Sequence, residues 1–138
     1  MADPRLASRQ GELIDRSDPV SFTWEGEPAS GFAGDTVGSA LFAAGTRVFS
    51  RSFKYHRRRG LMCCAGQCPN CLVEVDGVPA VRACVTPIEE GMTVRHINAW
   101  PSLRRDLLHL VGRLTPSFGM QVGFYYKTFI HPKRAWPL

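Results

Sequence analysis

The spacing of the cysteines constrains this chain more than any other feature. Four of the five cysteines lie within GLMCCAGQCPNCLVEV, residues 60–75. Cys63, Cys68 and Cys71 form a C-x4-C-x2-C pattern, and Cys84 follows after twelve intervening residues. Such spacing is typical of plant-type [2Fe–2S] sites, in which one loop supplies three thiolates and a distant segment supplies the fourth. The sequence therefore predicts that these four cysteines bind the two irons of a [2Fe–2S] cluster.

The loop that carries three ligands has to curl around the cluster, with backbone N–H groups directed at the sulfur atoms. Gly66 suits this loop because glycine accepts a positive φ and allows a close approach, and Ala65 is also small. Cys64 does not fit the spacing, since using it in place of Cys63 would give C-x3-C. We therefore predict that Cys64 is a spare thiol without a ligand role.

Structural zinc is the main alternative to a cluster. A zinc ribbon normally uses two C-x2-C pairs, and only Cys68 and Cys71 form such a pair here. A Rieske centre needs two histidine ligands, and no histidine lies among these cysteines. A thioredoxin-like redox pair would leave Cys63 and Cys84 without a role. A zinc-binding nucleic-acid module remains as a competing function, and it would be colourless.

Length and composition indicate one globular domain. The chain has 138 residues, of which 44% are hydrophobic, so it can form a modest core. No apolar run approaches the roughly 18 residues of a membrane span, and the polar N-terminus lacks the apolar core of a secretory signal. We expect a cytoplasmic protein, or one held at the membrane periphery through a complex, in which the thiols stay reduced.

The formal net charge is +5, and many of the cations cluster in RSFKYHRRRG, residues 51–60. A basic run can face nucleic acid, an anionic cofactor or an acidic protein surface. We interpret Arg57, Arg58 and Arg59 as a partner-docking surface, with a solvated loop as the alternative.

The order of predicted elements indicates an α+β fold, with a mixed sheet over one helix. A strand over residues 20–24 and a second within ASGFAG form a hairpin, and a helix follows with Asp35 as its N-cap and Gly45 at its end. TRVFS forms a short strand, a second hairpin turns at Asp76-Gly77, and a last strand covers residues 93–97. The predicted domains are a flexible tail over 1–16, a cluster domain over 17–98, and a C-terminal helix and arm over 99–138.

The last forty residues differ in character from the rest of the chain. A helix is predicted to begin near Pro101, with Leu103, Leu107, Leu110, Val111 and Leu114 on one side. GFYYKTFIHPKRAWPL then carries many aromatic rings without a clean periodicity. Because a large exposed apolar segment usually marks an interface, we predict a partner-binding arm whose docking residues are Phe124, Tyr125, Tyr126, Phe129 and Trp136.

Longer stretches of the sequence resemble a family of flavoenzymes. Residues 20–60, which end in RSFKYHRRRG, resemble the ferredoxin-like N-terminal part of the alpha subunit of heterotetrameric sarcosine oxidase. INAWPSL and GFYYKTFIHPKRAW resemble segments just after that part, although that subunit lacks the cluster cysteines. The cysteine loop and VDGVPAVRACVTP resemble the small [2Fe–2S] subunits of hydrogen cyanide synthase, opine oxidases and D-hydroxyproline or L-proline dehydrogenases.

This resemblance implies a β-grasp ferredoxin-like fold and an electron-transfer role within a heteromeric oxidase or dehydrogenase of amines or amino acids. It also implies two partners, a FAD-containing subunit that oxidises the substrate C–N bond and a nucleotide-binding flavoprotein subunit, with FMN as a further flavin. The chain stops at Leu138, where the sarcosine oxidase subunit continues into its flavoprotein domain, so we expect a non-covalent partner in that place. A free-standing ferredoxin is the alternative within the same chemistry. No residue resembles a catalytic acid, base or nucleophile.

Overall fold

The computed structural model describes residues 5–53 and 55–114, with side chains up to residue 110. The residues predicted to form the aromatic arm, Phe124 to Trp136, lie outside the described part of the chain. The elements in chain order are β1 (Asp15–Trp24), β2 (Glu27–Ala33), α1 (Val37–Ala43), β3 (Ser50–Arg51), β4 (Arg58–Arg59), β5 (Leu72–Val75), β6 (Val78–Arg82), β7 (Thr93–Arg95) and α2 (Leu107–Leu114).

Five strands form a mixed sheet in the order β2-β1-β7-β5-β6, and β3 and β4 form a separate two-stranded sheet. β1 pairs antiparallel with β2 and parallel with β7, whereas β5 pairs antiparallel with both β6 and β7. The predicted turn at Asp76-Gly77 joins β5 to β6, and both residues adopt the positive φ that a tight hairpin turn requires. The α+β class and the ferredoxin-like architecture are confirmed.

The core lies between the sheet and α1. From the helix, Val37, Ala40 and Leu41 are buried, and they pack with strand residues that include Phe22 and Val94. In β1, Val20 and Trp24 lie on the same face as Phe22 and pack against this core, as the alternation of residues 20–24 predicts.

The N-cap of α1 is Thr36, so the prediction of Asp35 was wrong. Thr36 accepts a hydrogen bond from the Ser39 N–H, and the Ser39 hydroxyl accepts from the Thr36 N–H, which completes a capping box. The Asp35 carboxylate is instead buried and accepts hydrogen bonds from the Arg5 guanidinium and the Ser39 hydroxyl. The helix ends where expected, and Gly45 follows with a φ of 90°.

The second helix begins at Leu107 and not near Pro101. Residues 101–106 form a loop closed by a bridge between Pro101 and Asp106. The Asp106 carboxylate accepts hydrogen bonds from the N–H groups of Trp100 and Leu108, so it stabilises the loop and the first turn of the helix together.

Asp106 also joins this loop to the basic hairpin of β3 and β4. Its side chain is 1% exposed and lies 2.9 Å from His56 Nδ1 and 3.4 Å from Arg51 Nε. Arg51 donates further hydrogen bonds to the carbonyl oxygens of Leu103 and His56. A buried ionic network therefore joins the basic hairpin of β3 and β4 to the loop over residues 101–106.

Candidate metal centre

The four predicted ligands come together because of the β5–β6 hairpin. Cys71 directly precedes β5, and Cys84 follows closely after β6. The Ala83 N–H donates to the Cys71 carbonyl at 3.0 Å, which extends the hairpin to the two cysteines. Cys63 and Cys68 lie on the loop that leads from β4 into β5, so one sheet edge and one loop form the whole site.

The thiols affect one another's pKa as two linked pairs. The Cys68 thiol is among the groups that lower the pKa of Cys63, and the Cys84 thiol and the charge of Cys68 are among those that raise the pKa of Cys71. Within the described residues, no three His, Cys, Asp or Glu side chains converge on a single ion position. Soft sulfur donors suit the irons of a two-iron cluster, each of which needs two thiolates.

Backbone N–H groups point at the sulfurs, as the loop was expected to arrange. The Ala65 N–H donates to Cys63 Sγ at 3.5 Å and the Gly66 N–H donates to Cys84 Sγ at 3.3 Å. Donation from Ala65, and then from Cys68 and other loop groups, lowers the pKa of the Cys63 thiol to about 6. The loop is therefore built to stabilise negative charge on sulfur.

The Cys71 thiol has the opposite environment. It is 1% exposed, and burial raises its pKa to about 11 despite a hydrogen bond from the Cys84 N–H. Because a metal ligand has to be a thiolate, iron binding at this residue would release a proton.

Cys64 lies apart from this arrangement. Its side chain is exposed, and its backbone adopts a φ of 51°, in the left-handed region. No ligand role can be assigned to it from the geometry, in keeping with its place outside the spacing pattern.

Asn70 is a supporting residue that the sequence reasoning missed. It is buried between Pro69 and Cys71, where its Oδ1 accepts a hydrogen bond from the Arg59 guanidinium, and its side-chain amide contacts Met62 Sδ. Arg59 thereby ties β4 to both ends of the cysteine loop. An asparagine beside a proline reads as an ordinary turn residue, so the sequence carried no signal for this role.

Gly38 is the second residue that was missed. Its N–H donates to the Ala83 carbonyl at 2.7 Å, and a Cβ at this position would lie 3.0 Å from that oxygen and 3.1 Å from Cys84 Cα. The first turn of α1 thus contacts the backbone that carries the fourth ligand. A side chain at this position would press on that backbone, so the contact favours glycine.

The predicted docking arginines have different environments. Arg57 and Arg58 are exposed, and the Arg57 guanidinium lies 5.1 Å from the centre of the Tyr55 ring. Arg59 is half-buried and engaged with Asn70. Arg57 and Arg58 thus present their charges to solvent, whereas Arg59 binds the cysteine loop through Asn70.

Comparison with known proteins identifies the family. The family described as "2Fe-2S iron-sulfur cluster binding domain" matches residues 17–99, and the chain belongs to it. The chain is 44% identical to sarcosine oxidase subunit alpha of Rhizobium meliloti over 99% of its own length and 14% of that protein. It is 36% identical to hydrogen cyanide synthase subunit HcnA of Pseudomonas aeruginosa, over 64% of its own length and 86% of HcnA.

These matches confirm the resemblance to sarcosine oxidase and hydrogen cyanide synthase. The chain spans about a seventh of the sarcosine oxidase subunit and most of HcnA. Among solved structures, L-proline dehydrogenase from P. horikoshii matches with a TM-score of 0.53 at 22% identity, over 64% of this chain and 17% of that one. That similarity supports the fold alone. No helix within residues 5–53 and 55–114 is long and apolar enough to cross a membrane.

Proposed function

We propose that this chain is the electron-transfer subunit of a heteromeric FAD-dependent oxidoreductase that acts on C–N bonds. Its relatives are named as subunits of sarcosine oxidase and of hydrogen cyanide synthase. The similarity to HcnA covers most of that subunit, and a separate iron–sulfur subunit is the form of the proposal. The chain itself would contribute no catalytic residue.

In this proposal Cys63 and Cys68 hold one iron, and Cys71 and Cys84 hold the other. When bound, a [2Fe–2S] cluster carries one electron at a time, so it can connect a two-electron flavin donor to a one-electron acceptor. The N–H groups directed at the Cys63 and Cys84 sulfurs, together with the backbone hydrogen bond that places Cys71 beside Ala83 and Cys84, are the observation that supports the assignment. Those N–H groups favour the added negative charge on reduction.

The remaining surfaces would serve assembly. Arg57 and Arg58 present exposed charges on a hairpin that the buried Asp106 network holds in place. We propose that they dock an acidic surface of a flavoprotein subunit, and that the aromatic segment containing Phe124 and Trp136 binds the same partner. Charge contacts of this kind guide association and weaken as salt rises.

Metal analysis of the purified chain tests the cluster. We expect two irons and two acid-labile sulfides per chain, with visible absorption that a zinc protein would lack. Cys68→Ser should abolish or badly damage the cluster, and the adjacent variant Cys64→Ser is the matched control that should retain it. Loss of the cluster in the Cys64 variant with retention in a Cys63→Ser variant would overturn the ligand assignment.

A separate experiment tests the enzyme context. The tagged chain, purified from its native host under mild conditions, should bring with it a subunit that contains FAD. Adding the amine or amino-acid substrate of that subunit anaerobically should bleach the cluster absorption. A cluster that stays oxidised while the flavin is reduced would refute the electron-transfer role and leave the cluster assignment intact.

A further inference from the structure

A groove of 770 Å³ lies beside Trp24 and none of the cysteines contributes to its lining. Its walls come from the end of β1, the turn after α1, the basic strand β4 and the loop before α2. Its volume is within the range of small-molecule sites, about 300–1,000 Å³. The groove is thus large enough for a ligand of its own.

Three arginines are among the residues that line this groove, Arg47, Arg58 and Arg104. Within the described part of the chain, the structure shows none of them in an ion pair with a carboxylate. Arg47 donates to the carbonyl oxygens of Phe42 and Thr46, and its guanidinium lies 3.7 Å from the centre of the Phe42 ring, so it has no carboxylate partner among the described residues. The groove therefore concentrates positive charge.

The lining also contains one acidic residue, Glu25, which offsets one of these three positive charges. The Glu25 carboxylate accepts hydrogen bonds from the backbone N–H and the ring of His96 at 2.5 Å each. Trp24 also lines the groove, and its indole packs edge-on against Phe49 with the ring centres 6.3 Å apart. A rigid aromatic ring therefore lies near several cations.

This combination selects a class of ligand. Planar guanidinium groups match the oxygens of phosphates, and several of them suit a polyanion better than a single carboxylate. An indole beside them suits a planar or apolar group attached to the phosphates. A free diphosphate would use the arginines alone, whereas a nucleoside diphosphate would also use Trp24.

We propose that this groove binds a diphosphate-bearing small molecule, with Arg58 and Arg104 contacting the phosphates and Trp24 contacting the remainder of a nucleotide. This site includes none of the cysteines, but it shares Arg58 with the proposed docking surface, so a bound diphosphate and the docked partner would compete for that residue.

Calorimetric titration of the full-length chain at low salt tests the proposal, with ADP, inorganic pyrophosphate and adenosine as the probes. We expect ADP and pyrophosphate to bind with one site per chain and adenosine to bind at least about tenfold more weakly, because charge-assisted hydrogen bonds carry the affinity. Tighter binding of ADP than of pyrophosphate indicates a nucleotide site, and equal binding indicates a site for the diphosphate group itself.

The double variant Arg58→Gln/Arg104→Gln should weaken ADP binding by about tenfold or more. Both side chains are exposed, and the structure shows no hydrogen bond from either within the described residues, so the fold should be unaffected. Arg9→Gln/Arg95→Gln removes the same charge at exposed positions outside the groove and should bind nearly as the wild type.

Three results would overturn the proposal. If neither ADP nor pyrophosphate binds, the groove is not a site for diphosphate-bearing molecules. Equal losses in the two double variants would show attraction by net charge and no specific site. Binding of a glutamate-rich peptide without binding of either diphosphate would assign the groove to an acidic protein segment.

Discussion

Gly38→Ala is the substitution that most directly tests how the fold supports the cysteine site. The new Cβ would lie 2.9 Å from Leu61 Cδ2, 3.0 Å from the Ala83 carbonyl oxygen and 3.1 Å from Cys84 Cα. The leucine methyl can rotate away, but the other two atoms belong to the backbone. The helix cannot retreat without lengthening the 2.7 Å hydrogen bond from the Gly38 N–H to Ala83.

The expected cost follows from two opposing effects. Overpacking at a rigid contact costs about 1–3 kcal/mol, and alanine gains at most about 1 kcal/mol over glycine within a helix. We expect a net loss of about 1–2 kcal/mol in the free energy of unfolding. Because the displaced atoms carry Cys84, we also expect faster loss of the cluster.

Urea unfolding and the decay of visible absorption measure these two effects separately. Gly26→Ala is the matched control, since Gly26 has a φ of 83° with no atom near its Cβ position. The control should lose about 1 kcal/mol through backbone strain and keep the wild-type cluster lifetime. If Gly38→Ala matches the wild type in both measurements, the contact between α1 and Cys84 does not constrain the site.

Three further substitutions test other contacts. Asn70→Ala leaves the half-buried Arg59 guanidinium without its acceptor, so we expect the free energy of unfolding to fall by about 1–3 kcal/mol. The cluster lifetime, measured by the decay of visible absorption, should also shorten. An unchanged lifetime would show that the Arg59–Asn70 hydrogen bond does not support the site. Cys64→Val should lower the free energy of unfolding in urea by about 1–2 kcal/mol, because a β-branched residue resists positive φ. Cys64→Gly should not lower it. Equal effects of the two substitutions would contradict the backbone conformation at residue 64. Burial raises the pKa of Asp35, but hydrogen bonds from Arg5 and Ser39 outweigh it and hold the pKa below the ordinary 3.8. Asp35→Asn should therefore be less stable than the wild type at pH 7, and this gap in urea unfolding should shrink as pH falls below about 4; a gap independent of pH would refute the ionic role.

The candidate ligands could be proposed from the sequence because ligand chemistry leaves a strong pattern in it. Two-iron clusters need thiolates at a restricted spacing, so Cys63, Cys68, Cys71 and Cys84 stood out without a structure. The turn at Asp76-Gly77 was predictable for a similar reason, since few residue types tolerate its backbone conformation. These features depend on residues close in sequence, where local rules apply.

The missed features depend on contacts between distant segments. Asp35 and Thr36 are both good N-caps, and local rules could not choose between them. The choice follows from Arg5, which is thirty residues away and occupies the Asp35 carboxylate. From the sequence alone Gly38 is a poor helix residue, and the reason for a glycine there is its contact with Ala83 and Cys84. In each case tertiary packing outweighs local propensity.

The buried Asp106 network connects the cluster domain with the segment that follows it. Asp106 lies beyond the predicted domain limit at residue 98, yet its carboxylate contacts Arg51 and His56 in the basic hairpin. A buried carboxylate is costly unless it is fully paired, and four groups contact this one: the side chains of Arg51 and His56 and the N–H groups of Trp100 and Leu108. The position of the basic hairpin therefore depends on the loop over residues 101–106. Strand β4 of that hairpin also supplies Arg59 to the cysteine loop. The segment beyond residue 98 therefore affects the candidate metal centre through two contacts, first Asp106 with the basic hairpin and then Arg59 with the cysteine loop.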